Sequence, residues 1–146
     1  MNIEKMTTTM QQALGQAQQI AMVRKHQEID IPHLWKVFME PNHFARNLYS
    51  DLQVNDKEFE DLIDKELDRI SVVEGQNVQY GQSMSQNLYR LFTEAEKIRE
   101  SFKDDYLSTE VVVLALMELQ NHPLTRYLVQ HHVTKEKLRA RIEELR

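Results

Sequence analysis

The chain has 146 residues, 41% of them hydrophobic and 28% charged, with a formal net charge of −5. That length suits one domain able to bury about two thirds of its unfolded surface, and no apolar run approaches the roughly 20 residues that span a bilayer. Zero cysteines leave no disulfide framework or thiolate metal site and fit a reducing compartment, so a cytoplasmic location is expected; the acidity argues against nucleic acid as a partner, because phosphate binding needs clustered Lys and Arg.

The opening segment intersperses Thr and Gln among its apolar residues, which makes it an amphipathic helix near residues 6–25 rather than a secretory leader. Arg24-Lys25-His26 reads as its solvated end, where positive charge complements the macrodipole. A short helix follows near residues 31–39, with Pro32 in a first turn that tolerates a missing N–H and Pro41 beyond the end. A third helix carries Phe44, Ala45, Leu48, Tyr49 and Leu52 as far as Val54. The fourth opens at Asn55 with Glu58 three residues on, as in a capping box, and runs to about Ile70. Its acidic residues, Asp56 to Asp68, interleave with Phe59, Leu62, Ile63 and Leu67, so they form the wet face of an amphipathic helix. Ser71 to Ser83 holds Gly75 and Gly81 among Gln, Asn and Ser residues and is a linker by composition.

The second half then repeats the first. Met6, Met10, Ala13, Leu14, Ala17 and Ile20 recur as Met84, Leu88, Leu91, Phe92, Ala95 and Ile98 (84 − 6 = 78). Ile29, Leu34, Val37, Phe38 and Met39 recur at the same spacing as Leu107, Val112, Ala115, Leu116 and Met117, after which the register slips by one near Pro123 (133 − 54 = 79, Val133 against Val54). Thr134 caps the last helix, which carries Leu138 and Ile142. Two copies of one supersecondary unit, each too small to bury its apolar face alone, must pack together. The expectation is therefore an all-α single domain of about eight helices over residues 1–146, with repeat one at about 6–70, a linker at about 71–83 and repeat two at about 84–146. No segment shows strand alternation.

Chemistry is hard to find. Gly15, Gly75 and Gly81 have neither the spacing nor the following Lys of a phosphate loop, so the chain is expected to be non-catalytic and to bind no nucleotide or other cofactor itself. Glu40-Pro41-Asn42-His43 is formally E-x-x-H, but Pro41 interrupts the helix turn that a di-metal site needs, and no second copy exists. Adjacent His131 and His132 point about 100° apart on a helix, so they suit helix-end packing better than a shared ion. No Ser sits in a strand-to-helix elbow. No catalytic or metal residue is assigned.

The paired segments Met6-Thr7…Asp30-Ile31-Pro32-His33-Leu34 and Met84-Ser85…Asp104-Asp105-Tyr106-Leu107-Ser108-Thr109-Glu110 resemble the duplicated Clp N-terminal repeat over essentially the whole chain. Within that family, Met1 to Ile20, Ile29 to Leu34 and Gln79 to Ser83 are similar to the bacterial disaggregase branch more than to the protease-linked branches. The resemblance implies a mobile, monomeric N-terminal domain on a homohexameric ATPase ring, engaging unfolded or aggregated polypeptide, with ATP and Mg bound by other domains and with neither nucleic acid nor membrane as partner. It also implies an alternative, a module that docks a protein adaptor. By position it places Thr7, Asp104 and Glu110 in a polar contact cluster; the residues alone equally fit helix capping. It places Glu94, Ile98 and Val111 along an aliphatic groove, where Glu94 departs from the apolar pattern and Ile98 also fits the core stripe. In repeat one Pro32 stands where repeat two has Glu110, so the second of two pseudo-symmetric sites has lost its acid. The seven methionines suit an adaptable binding surface, although at helical spacing Met more often fills a core.

Overall fold

The computed structural model describes residues 2–146; Met1, with which the opening stretch begins, lies outside them. After a short 3-10 turn (Ile3–Lys5), α1 (Thr8–Val23), α2 (Ile31–Phe38), α3 (Phe44–Asp51) and α4 (Asp56–Asp68) make up the first repeat. The second comprises α5 (Gln86–Phe102), α6 (Thr109–Leu116), α7 (Pro123–Gln130) and α8 (Lys135–Leu145). The helix order is the same in both halves. The offset is 78 from α2 to α6 (109 − 31) and 79 from α3 to α7 (123 − 44), so the extra residue lies in the α6–α7 loop.

Every α-helix except α6 starts where a side chain relieves its orphan N–H groups; at α6 the Ser108 hydroxyl makes no capping bond. Thr7 Oγ1 accepts the Met10 N–H (3.2 Å), and its counterpart Ser85 Oγ accepts from Leu88 (3.0 Å). Asn55 caps α4 through the Glu58 N–H (3.0 Å). The reciprocal capping box lies instead at Asp30 and His33, where an imidazole does the work of the usual Glu or Gln. His43 and His122 cap α3 and α7 with ring nitrogens at 3.2 and 3.1 Å from the Ala45 and Leu124 nitrogens. His43, the histidine of the E-x-x-H string, is thus engaged in capping. Among the described residues no group of three His, Asp or Glu could hold a metal ion.

One core runs through both halves. The duplicated stripe supplies Met10, Ala13, Leu14 and Ala17 from α1 and Leu88, Leu91, Phe92 and Ala95 from α5, while α2 and α6 lie almost wholly buried between them. Among the described residues four methionines (Met6, Met10, Met39, Met117) are core residues and only Met22 is well exposed, which favours the packing role. Trp35 Nε1–H donates to the Tyr49 hydroxyl (2.9 Å) deep inside repeat one, and burial pushes the Tyr49 pKa upward. Across the repeats the Tyr127 ring stacks on Phe59 (5.4 Å), and its hydroxyl donates to Glu58 (3.1 Å).

Two features depart from the sequence expectation. Short strands β1 (Glu28–Ile29) and β2 (Ser83–Met84) pair in parallel, and an isolated parallel bridge joins Met6 to Leu107. These contacts are reciprocal: the lead-in to the first helix of each repeat pairs with the lead-in to the second helix of the other. The Ser85 N–H donates to Ile29 O and the Thr7 N–H to Leu107 O, both at 2.9 Å. Linker-derived residues therefore help to set how the repeats pack, through Gly81 N–H to His26 O (3.0 Å) and Gln18 Nε2 to Gly81 O (2.7 Å). The second departure is His26, which is buried rather than solvated; Arg24 and Lys25 alone reach outward, to Asp68 (3.2 Å) and Glu74 (2.9 Å).

Candidate functional site

The site begins at the C-terminus of α5. Lys103 takes the left-handed conformation (φ 59°, ψ 33°) that ends the helix, and the turn after it is held twice by Arg99: its carbonyl accepts the Asp104 N–H (3.2 Å), and its guanidinium donates to Asp104 O (2.6 Å). Asp104 is therefore fixed by its backbone, and its carboxylate is free to face outward. Glu110 sits in the first turn of α6, where a negative charge is favoured by the unpaired N–H groups.

Arg146 brings the two acids together. Its guanidinium donates both arms to Asp104 (2.8 and 2.6 Å), and one of them also reaches Glu110 (3.4 Å). The same guanidinium lies over the Phe102 ring at 4.5 Å, next to that of Arg139 at 4.3 Å. The Asp104 hydrogen bonds raise the Arg146 pKa still further above its ordinary value. Sequence reasoning missed Phe102, Arg139 and Arg146. The spacing of seven between Arg139 in α8 and Arg146 at its C-cap aligns the two along one side of the helix, but it does not reveal what they meet.

Thr7 stands apart from this cluster. Its hydroxyl is used in capping α1, and only its backbone N–H, bonded to Leu107 O, ties it to the α5–α6 turn. Of the three polar positions, the structure unites Asp104 with Glu110. The aliphatic positions need correction: Val111 is fully buried and Ile98 is 8% exposed, both in the core. They fall there because α5 and α6 pack against each other along their lengths. Glu94 is half-buried and pairs with Lys97 (3.3 Å). Open grooves lie elsewhere, at two pseudo-equivalent places. One, of about 310 Å³, has Leu14, Gly15, Ile29, Gly81 and Met84 in its walls; the other, of about 470 Å³, has Lys5, Tyr89, Phe92, Glu96 and Leu107. Tyr89 is 60% exposed at the second.

The first repeat has built something different at the matching positions. His26 replaces Asp104, Pro32 replaces Glu110 and His33 replaces Val111 (offset 78). His33 Nδ1 accepts the Asp30 N–H (2.8 Å), so its Nε2 carries the proton and donates to His26 Nδ1 (2.8 Å). Burial, reinforced by neighbouring His26, lowers the His33 pKa to about 4, and burial lowers His26 as well. Asp30 meanwhile accepts from Ser85 Oγ (2.6 Å) across the repeat boundary. This counterpart is a joint rather than an open site.

Two four-helix repeats, swapped at their lead-ins and sharing one core, define a duplicated helical-repeat domain. The model of the Clp repeat (R) N-terminal domain matches residues 5–131, and the chain belongs to that family. It is 57% identical over all 146 residues to the chaperone protein ClpB of Lactococcus lactis subsp. cremoris and 56% identical to that of Enterococcus faecalis. It spans 17% of the length of each. Among solved structures, the N-domain of ClpV from Vibrio cholerae superposes with a TM-score of 0.80 at 19% identity, covering 96% of this chain and 84% of that one. The Hsp104 N-terminal domain from Candida albicans superposes at 0.77 and 18% identity, covering 97% and 91%. A complex of a ClpV N-domain with a VipB peptide also matches (TM-score 0.77, 19% identity, 93% and 83% covered). No described helix is long and apolar enough to cross a membrane.

Proposed function

We propose that this chain is the substrate-engaging domain of a ClpB-type, ATP-dependent protein disaggregase, which binds unfolded or aggregated polypeptide weakly and helps deliver it to a homohexameric ATPase ring in the cytoplasm. The observation that carries this reading is the 57% identity to a ClpB chaperone along the entire chain, of which the chain spans only 17%. In this reading the domain is non-catalytic and needs no cofactor; nucleotide and Mg belong to other parts of the longer protein. Physically, weak engagement of many sequences asks for shallow apolar grooves with polar rims and a nearby charged anchor. The Tyr89 groove and the Asp104–Glu110 pair supply features of that kind. Thr7, Asp104 and Glu110 are proposed as contact residues, with Thr7 also serving as a cap.

The ClpV N-domain seen with a VipB peptide supports a second reading, an adaptor-docking module that binds one defined partner. Titration of labelled unfolded casein, with a folded protein as control, separates the two. Saturable, weak binding of casein alone is the expected result. Failure to bind casein, together with tight capture of one folded partner, would replace the first reading with the second.

A further inference from the structure

We infer that the surface around the α6–α7 loop of repeat two docks an acidic segment of a partner polypeptide, with Arg90 and Arg126 as the cations that receive its carboxylates. This surface shares no wall residue with the Tyr89 groove or the Asp104–Glu110 pair, so the inference does not depend on the reading given above.

Three observations carry it. Two grooves of about 350 and 650 Å³ lie side by side here with Glu118 and Gln120 in both their walls; Arg90 borders the first and Arg126 the second. The larger groove is a product of divergence between the repeats. In repeat one the half-buried Arg46 occupies the equivalent place, reaching the Met39 carbonyl, Glu60 and Asp56 (3.2 Å). Its counterpart is Thr125 (offset 79), which turns its hydroxyl to Leu116 O (2.9 Å) and leaves the space open, with Met117 and the exposed Val129 in its walls. Charge has also changed sign. The walls of the two grooves hold three cations (Arg90, Arg126, Lys135) against two acids (Glu118, Glu136), whereas the matching positions of repeat one hold two cations (Arg46, Lys57) against three acids (Glu40, Asp51, Asp56). Finally, Arg90 and Arg126 are unpaired. Among the described residues every other arginine pairs with a carboxylate, and Lys135 and Glu118 already satisfy each other. Acids outnumber bases 23 to 18, so carboxylates are not in short supply. Two unpaired guanidiniums beside a partly apolar depression suit a peptide whose acids take the forks while an apolar neighbour covers Val129 and Met117. A nucleic acid would meet the same arginines but would be repelled by the net charge of −5.

The test titrates three probes: a Gly/Ser peptide carrying glutamates and leucines, the same peptide with glutamines for glutamates, and an oligodeoxythymidylate. Each is added to the wild-type chain, Arg90→Gln, Arg126→Asn and the double variant, which restore the residues of repeat one (Gln12 and Asn47). Neither arginine side chain bonds within the described residues, so thermal midpoints should stay unchanged and a loss of affinity reports on binding alone. An exposed charge pair is worth about a two- to fivefold change in affinity. Each single variant should bind the acidic peptide more weakly by that factor and the double variant by about tenfold, and added salt should weaken wild type in the same direction. Amide shifts on binding should centre on residues 118–126. No binding of the acidic peptide, equal binding of the glutamine peptide, wild-type affinity in the double variant, or shifts centred on the Tyr89 groove would overturn the docking surface. Tighter, arginine-dependent binding of the oligonucleotide would overturn it too, by making nucleic acid the occupant.

Discussion

The buried imidazole pair makes the stability of the domain fall in mild acid. His33 is held to a pKa of about 4, chiefly by burial and secondarily by His26 and Arg24, against an opposing pull from Asp30. Unfolded, the ring titrates near its ordinary 6.5. Between those values the unfolded chain binds a proton that the native chain refuses, so stability is full above about pH 7, declines as pH falls through 6.5 and stops declining below about 4. The full span is about 3 kcal/mol, and at pH 5 the loss is about 2 kcal/mol, or about 6 °C in midpoint for a domain of this size. Structurally, a proton on His26 Nδ1 or His33 Nδ1 sets donor against donor, in the second case at the capping box of α2. His33→Gln keeps an acceptor and a donor but cannot titrate. Urea unfolding of both proteins at about pH 7.5 and 5 isolates the effect, since His43 and His122, whose pKa values burial also lowers, contribute equally to each. Wild type should lose about 2 kcal/mol more than His33→Gln over that interval. Parallel losses would refute the reasoning.

Other substitutions test other parts of the structure. Tyr49→Phe strips the acceptor from the buried Trp35 N–H and should cost about 1–3 kcal/mol by urea midpoint, with an unchanged midpoint showing that the indole finds another partner. Gly15 lies in mid-helix with nothing within 4 Å of where a methyl would sit, so Gly15→Ala should stabilise by about 0.5–1 kcal/mol. Gly81 has φ +64° and would bring a methyl to 3.0 Å from Gln18 O, so Gly81→Ala should destabilise by more than about 1 kcal/mol; thermal melts of the pair that move in the same direction would contradict this. Leu14→Ala on the duplicated stripe should cost about 2–5 kcal/mol, and Thr7→Ala about 1 kcal/mol through its lost cap. Glu110→Ala should move the melting point little while weakening casein binding; wild-type binding with a clear stability loss would leave it a purely local stabiliser of α6.

What the sequence discloses here is set by period. An apolar stripe recurring every three or four residues, and recurring again 78 residues on, specifies helices, their order and their shared core without reference to anything distant. Helix ends follow where the capping residue is of a usual type, as with Thr7, Asn55 and Thr134. The missed features depend on encounters between segments far apart in the chain. A two-residue strand has no period to read, so the Ile29–Met84 and Met6–Leu107 pairings leave no local trace. A capping box closed by His33 looks like an ordinary helical histidine until its ring is seen to accept the Asp30 N–H. Arg146 meets Asp104 only because α8 runs toward the α5–α6 turn, which no spacing within α8 reveals. Val111 and Ile98 show the opposite error. Family position suggested a groove, whereas the density of apolar residues along α6 already argued for burial on both of its faces.

Duplication followed by divergence explains why one half carries an open acidic pair and the other does not. Lys25 and Lys103 both end their helices in the left-handed conformation (φ 61° and 59°), so the backbones at the next residue, His26 and Asp104, start from equivalent positions. The side chains then decide the outcome. At position 26 the ring turns inward against His33, where an ionised carboxylate would be desolvated and a neutral imidazole is favoured instead. At position 104 the neighbour at the equivalent of His33 is Val111, which offers no hydrogen bond, so a polar side chain gains nothing by turning inward and faces Phe102 and α8 instead. Glu110 and Pro32 complete the divergence, one adding charge at a first turn, the other fixing the start of α2 next to the joint. The neutral, buried version needs the reciprocal strand contacts and the Ser85–Asp30 bond to keep its donors and acceptors matched. The charged, outward version is satisfied by the Arg146 counter-charge instead. The asymmetry therefore leaves a buried, matched hydrogen-bond network on the repeat-one side of the interface and a partly exposed ion-pair cluster on the repeat-two side.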